Sequence, residues 1–187
     1  MTSMKAFFSI FGVFLLLAPA FAAEGGWENL PYKMTLNRHD LIRNGEGKQT
    51  WKGKQIYVVA LYLIEQSNDP TKILTAEEPT NIRLRITTFG ITPNQMKEII
   101  MEGFKRSTNG NIAPLKQRID SFLTIFDRIY INDVYDLAYI PGTGVEASKN
   151  GAALLVIDGL DFKNALYGMF IGDKALQNDL KAKLLSK

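Results

Sequence analysis

The stretch that decides the fold is Gln55–Glu65, which reads QIYVVALYLIE. Its alternate residues form two sets, and both are apolar: one runs from Ile56 to Ile64 and the other from Tyr57 to Leu63. β-Branched and aromatic residues predominate, which favours a strand over a helix. A strand that is apolar on both faces lies inside a sheet with packed material over each side. This segment therefore predicts the central strand of the domain.

The chain just before this segment predicts the neighbouring strand. Residues Leu41–Trp51 are strand-like but contain Asn44-Gly45 and Gly47, which are typical of a turn or a bulge within a strand. Lys52-Gly53 then predicts a hairpin turn into the central strand.

Further strand patterns follow the central segment. Asn81–Thr88 alternates, with Ile82, Leu84 and Ile86 predicted to face inward and Arg83, Arg85 and Thr87 outward. Strand patterns return at Asp133–Ile140, Val145–Lys149 and Ala152–Ile157. The last two flank Asn150-Gly151, a dipeptide preferred in two-residue hairpin turns.

Helical patterns occur in two pairs. Thr92, Pro93 and Gln95 form a predicted N-cap, first-turn proline and capping box, and Asn109-Gly110 ends that helix. Pro114 opens a second helix, and apolar stripes over 162–170 and 176–184 predict two more. The sequence thus predicts an α+β domain, in which a large antiparallel sheet is covered on one face by helices.

The N-terminal residues predict export. Met1–Ala22 has one cation, Lys5, then an apolar run to Leu17 and the cleavage pattern Ala20-Phe21-Ala22, as in a secretory signal peptide. We therefore expect a signal peptide over 1–22, a single domain over 23–187 and a periplasmic or secreted protein without a membrane span after cleavage. A retained N-terminal anchor is the alternative, although the apolar run is shorter than the ~20 residues that a span needs.

Composition excludes several classes of function. The net charge is +3 and evenly spread, so we expect no nucleic-acid partner. The chain has no Cys, which excludes thiol catalysis and lipidation at a cysteine. His39 is the sole histidine, and we interpret it as a surface residue. Acidic residues near turns and helix starts are expected to satisfy backbone donors. No metal site and no cofactor are predicted.

Five short motifs, in order, resemble those of the chalcone isomerase-like family and of its bacterial exported branch in particular. They are Asn44-Gly45-Glu46-Gly47, YVVALYL over 57–63, YIPGTG over 139–144, Lys149-Asn150-Gly151 leading to IDGLDF over 157–162, and FIGD over 170–173 leading to Asp179-Leu180-Lys181. The resemblance extends over about Trp27–Lys187. It implies an open-faced β-sandwich, with a ligand cleft between the large sheet and its helical layer.

The family includes plant enzymes that close chalcones to flavanones and relatives that bind fatty acids without known catalysis. The resemblance implies that both hold an anionic oxygen with an Arg just after the Gly-x-Gly segment. That position falls on Gln49 here, and a register slip of one residue would place Lys48 there instead. The enzymes' carbonyl-polarising Thr aligns with Tyr57, where the fatty-acid-binding relatives also have Tyr. The ligand-binding residues implied are Gln49, Tyr57, Lys48 and Tyr62.

Three hypotheses of function follow from the departure at Gln49. The first is a non-catalytic binder of a small apolar or amphipathic ligand, such as a fatty acid. It is preferred because losing a charge that stabilises an anion commonly costs about 10²–10³ in rate. The second is an intramolecular lyase acting on a chalcone-like enone, with Tyr57 as acid and Lys48 as anion anchor. The third is an envelope module that binds a protein partner and whose cleft is filled.

Overall fold

A computed structural model describes residues 30–185, so the predicted signal peptide lies outside the described residues. Seven strands form one antiparallel sheet in which spatial order follows chain order. The strands are β1 (Lys33–Leu36), β2 (His39–Trp51), β3 (Lys54–Leu63), β4 (Thr80–Ile86), β5 (Val134–Ile140), β6 (Gly144–Lys149) and β7 (Ala152–Ile157). The α+β sheet architecture predicted from the sequence is confirmed.

Strand β3 is interior and covered on both sides. It pairs with β2 and β4, and every residue from Ile56 to Leu63 is buried. Tyr57, Val59 and the next alternate residues, Leu61 and Leu63, belong to the main core beneath the helices. Val58, Ala60 and Tyr62 pack on the opposite side against Leu30 and Leu41. The outer face, which is the sheet face opposite the helices, is covered at this end by the segment before β2. The continuous apolar pattern of β3 therefore reflects packing in two separate layers.

Strand β2 is one long strand with two register shifts against β3. One lies between Arg43 and Gly45, as the Asn44-Gly45 pair predicted, and the other lies between Gln49 and Thr50. The Asn44 side chain closes the first irregularity, since its amide donates to the Ser67 and Leu184 carbonyls at 2.9 and 2.7 Å. The Lys52-Gly53 turn into β3 also forms, with φ of 49° and 78°.

Five α-helices lie within residues 30–185: α1 (Pro70–Thr75), α2 (Pro93–Ser107), α3 (Lys116–Leu123), α4 (Leu160–Ile171) and α5 (Asn178–Leu184). The predicted capping box of α2 is present, with Thr92 and Gln95 bonding reciprocally. The segment from Pro114 is less regular than expected, since 3₁₀ turns precede and follow α3. Strand β1 and helix α1 were not predicted, because both are too short to show a periodic pattern.

Helix α4 is the centre of the helical layer. Its residues are buried nearly all round rather than on a single stripe, and it contacts α1, α2, α5 and β6. Phe104, Phe122 and Phe162 cluster between α2, α3 and α4, with ring centroids 5.6–6.0 Å apart. Within 30–185, no helix is long and apolar enough to cross a membrane. His39 is exposed at the first position of β2.

Candidate functional site

Gln49 and Tyr57 lie directly opposite each other on neighbouring strands. They are paired in the β2–β3 register, so their side chains share the face of the sheet that the helices cover. The two preceding alternate positions on β2 are Gly45 and Gly47, which lie under α5. The structure thus places Gln49, rather than Lys48, at the inward position beside Tyr57.

Both side chains are removed from solvent and incompletely paired. Gln49 is 2% exposed and Tyr57 is fully buried. The Gln49 amide nitrogen donates to the Thr50 carbonyl at 2.9 Å, which leaves the amide oxygen pointing elsewhere. That oxygen and the Tyr57 hydroxyl have no hydrogen-bond partner among the described residues. Unpaired buried polar atoms are uncommon in folded proteins, and here two occur on adjacent side chains.

The Tyr57 phenol is uncharged at ordinary pH. Its burial raises its pKa above the usual value for tyrosine, because the phenolate would lose its hydration. The group is therefore an O–H donor, and the residue paired with it in register, Gln49, offers an amide oxygen that accepts. A ligand that both accepts and donates a hydrogen bond would complement this pair, as a hydroxyl or an un-ionised carboxyl group does.

Helix α5 closes this position from above. A Cβ atom on Gly47 would lie 2.6 Å from a methyl carbon of Leu180, so the helix approaches β2 as closely as a strand without side chains allows. Gln177, just before α5, accepts hydrogen bonds from the Thr50 backbone N–H and hydroxyl, both at 3.1 Å. Helix α5 and the residue before it thus pack on the β2 residues that flank Gln49.

Lys48 and Tyr62 lie on the other side of the sheet. Lys48 is exposed and pairs in register with Val58, whose side chain belongs to the outer-face cluster. The Tyr62 hydroxyl donates to the Pro31 carbonyl at 2.8 Å, and burial raises the pKa of Tyr62 to about 12. The four residues implied by resemblance are thus split into two pairs. Tyr57 and Lys48 are separated by the sheet, so they cannot serve together as acid and anion anchor on one ligand.

Two further polar residues near the helices were missed by sequence reasoning. Gln177 holds the start of α5 to β2, and nothing in its sequence surroundings marks that contact. Lys163 is fully buried within α4, and its ammonium donates to the carbonyls of Ile73, Leu74 and Ala76 at 2.6–3.0 Å. The sequence does contain a signal for this buried residue, namely a lysine within the largely apolar stretch LDFKNALYGMFI. Its role is structural, because those carbonyls are the open C-terminal end of α1.

Asp136 on β5 is engaged in pairing with residues of β4. Arg83 donates to both carboxylate oxygens of Asp136 at 2.7 and 2.9 Å, and Asn81 donates to the same carboxylate. Among residues 30–185, no group of three or more His, Asp or Glu side chains is arranged to hold a metal ion.

Comparison with known proteins identifies what this fold is similar to. A family model described as chalcone isomerase-like matches residues 23–186. The crystal structure of a fatty-acid binding protein from Arabidopsis thaliana superposes with a TM-score of 0.64 at 15% sequence identity. The match covers 83% of this chain and 90% of the plant protein. No curated protein sequence matches the chain.

Proposed function

Because the chain belongs to the chalcone isomerase-like family, we propose that it is a non-catalytic protein that binds a small apolar or amphipathic ligand between the sheet and α5. The observation that carries the proposal is the pair of buried, unpartnered polar atoms on Gln49 and Tyr57. The fatty-acid binding protein of similar fold supports a ligand with an aliphatic chain. The head group would bond to Gln49 and Tyr57, and the chain would lie among the apolar side chains under the helices.

The chemistry of the pair favours a neutral head group. The Gln49 amide oxygen accepts but carries no positive charge, so it would repel an ionised carboxylate. A fatty alcohol, or a fatty acid in its protonated form, can donate to this oxygen and accept from the Tyr57 hydroxyl. The neutral Gln49 at the position paired with Tyr57 also supports the non-catalytic assignment, because it offers no positive charge to a developing enolate or phenolate.

Titration with a fluorescent fatty acid and the matching fatty alcohol tests the proposal. The parent protein should bind the alcohol more tightly than the acid at pH 7. Acid binding should strengthen as the pH falls toward about 4–5, where carboxyl groups protonate. Gln49→Arg should reverse this order, since a charge-assisted hydrogen bond to a carboxylate is worth about 1.5–3 kcal/mol. Neither protein should cyclise a chalcone faster than the uncatalysed reaction.

Two control variants make the result interpretable. Gln49→Leu removes the amide without adding bulk and should weaken alcohol binding, which covers the case in which the larger Arg is not accommodated. Lys48→Arg alters the neighbouring residue on the outer face and should leave binding of both ligands unchanged. Equal affinities for the parent, Gln49→Arg and Gln49→Leu would remove Gln49 from the site and refute the proposed binding mode.

The closed position of Gln49 and Tyr57 favours one second candidate, an envelope module that binds a protein partner and no longer admits a ligand. Native mass spectrometry of the protein purified from its own host distinguishes the two. A copurified lipid-sized mass supports the ligand binder, whereas bare protein together with no affinity for either fatty probe supports the module.

We also propose that the protein is exported. It is supported by the pattern of Met1–Ala22 and by the start of the family match at residue 23. The intact mass of the protein recovered from the periplasm or medium should correspond to a chain that begins at Ala23. A mature protein that retains Phe7–Leu17 would overturn the localisation.

A further inference from the structure

A cavity of about 420 Å³ lies on the outer face of the sheet, where β2, β3 and β4 run side by side. Its walls include Lys48 from β2, Val58 from β3 and Arg85 from β4, which are aligned in one row by the strand register. Its volume lies within the usual range of small-molecule sites. Lys48, Val58 and Arg85 occupy outer-face positions, whereas Gln49 and Tyr57 face the helices, so the residues that carry this site differ from those of the ligand position proposed above.

Arg85 differs from its neighbour Arg83 in having no acidic partner among residues 30–185. Arg83 faces Asp136 across β4 and β5, and the two form a bidentate ion pair. Arg85 is aligned instead with Val58 on one side and Val134 on the other. Its Nε atom is buried and has no hydrogen-bond partner within the described part of the chain. A half-buried guanidinium that is left unpaired beside an open cavity is a site for an external anion.

The remaining walls supply a second cation and an apolar surface. Lys48 makes no ion pair with any carboxylate of residues 30–185. Lys183, which is already engaged in an interaction within the protein, also lines the cavity. The one carboxylate among the lining residues, Glu46, is held by Arg43 at 2.8 Å. Val58 and Ile131 provide apolar wall.

We infer that this cavity binds a small organic anion. Its carboxylate or phosphate group lies between Arg85 and Lys48, and its apolar part packs on Val58 and Ile131. The planar fork of the guanidinium suits either group, because both present two oxygens at matching spacing. Thr87 extends the polar side of the pocket, where its hydroxyl accepts a hydrogen bond from the Gln55 amide at 2.9 Å and keeps its own proton to donate.

Amide chemical-shift titrations of the mature protein test this assignment. Benzoate and phenyl phosphate represent the two anion types, and benzyl alcohol is the neutral analogue. Both anions should produce saturable shifts at Lys48, Val58 and Arg85, and the alcohol should not. Arg85→Gln should weaken anion binding about tenfold or more, as the loss of a charge-assisted bond implies. The melting temperature of the Arg85→Gln variant should not fall below that of the parent, since no described residue pairs with this arginine.

Matched variants separate a specific site from general charge attraction. Lys48→Gln should weaken binding severalfold, whereas Lys52→Gln removes the same charge at the adjacent hairpin turn and should have no effect. Tyr57→Phe, on the helix-facing side, should leave anion binding unchanged even if the fatty-ligand proposal fails. Shifts that do not saturate, equal binding of benzyl alcohol, or equal losses in Lys48→Gln and Lys52→Gln would each overturn the inference.

Discussion

Replacing Tyr57 by Phe tests the feature on which the proposed site depends, a buried hydroxyl without a partner among the described residues. Tyr167 is the matched control, because it is also fully buried between sheet and helices but donates to the Leu137 carbonyl at 2.6 Å and lies 3.1 Å from the Thr80 carbonyl. The same atom is deleted in both variants. That atom is unpaired in Tyr57 and hydrogen-bonded in Tyr167.

The two variants are expected to differ in their effect on the free energy of unfolding. Burying an unpaired hydroxyl costs about 1–3 kcal/mol, so Tyr57→Phe should leave stability unchanged or raise it by up to that amount. Tyr167→Phe leaves buried carbonyls short of a donor and should lower stability by about 1–3 kcal/mol. The two variants should therefore differ by at least about 1 kcal/mol, which corresponds to about 2–4 °C in melting temperature for a domain of this size.

Urea denaturation of both variants, followed by circular dichroism and fluorescence, measures the difference. The slopes with urea should match the parent's, so that midpoints compare directly. If Tyr57→Phe loses as much stability as Tyr167→Phe, the Tyr57 hydroxyl is paired in solution. The argument for a head-group site at Gln49 and Tyr57 then fails.

Three further substitutions test the packing that positions the site. Val59→Asp should lower the free energy of unfolding by several kcal/mol because it buries an unpaired carboxylate in the central strand, whereas Val156→Asp on β7, where the valine is 55% exposed, should change little in the same melts. Gly45→Ala should destabilise by about 1–3 kcal/mol or more, because its Cβ would lie 2.1 Å from the Lys183 carbonyl oxygen; Gly90→Ala meets nothing closer than 4.0 Å and should be neutral. Lys163→Met should cost about 2–5 kcal/mol, since it deprives the carbonyls of Ile73, Leu74 and Ala76 at the C-terminal end of α1 of their donor, and a melting temperature equal to the parent's would contradict the capping role.

The strands and the main helices could be predicted from the sequence because their signals are local. The two-sided apolar run of Gln55–Glu65 required an interior strand, and the alternation of Asn81–Thr88 correctly divided Ile82 from Arg83 between the two faces. The Thr92 capping box and the Asn150-Gly151 turn depend on backbone geometry over four residues or fewer. Patterns of this kind are complete within one segment, so the segment alone predicts them.

The site was decided by tertiary structure, because it depends on which side of β2 each residue occupies. Alternation shows which residues share a face of a regular strand. A bulge changes which face the following residues occupy, and β2 has two register shifts. Only the pairing with β3 shows that Gln49 faces inward beside Tyr57 while Lys48 faces outward with Arg85. The need for glycine at positions 45 and 47 likewise comes from α5, a helix more than 130 residues away in sequence. This helix packs so closely on β2 that a side chain at either position would clash with it. The residue types set the chemistry that the chain can offer, and the long-range packing determined which of them meet.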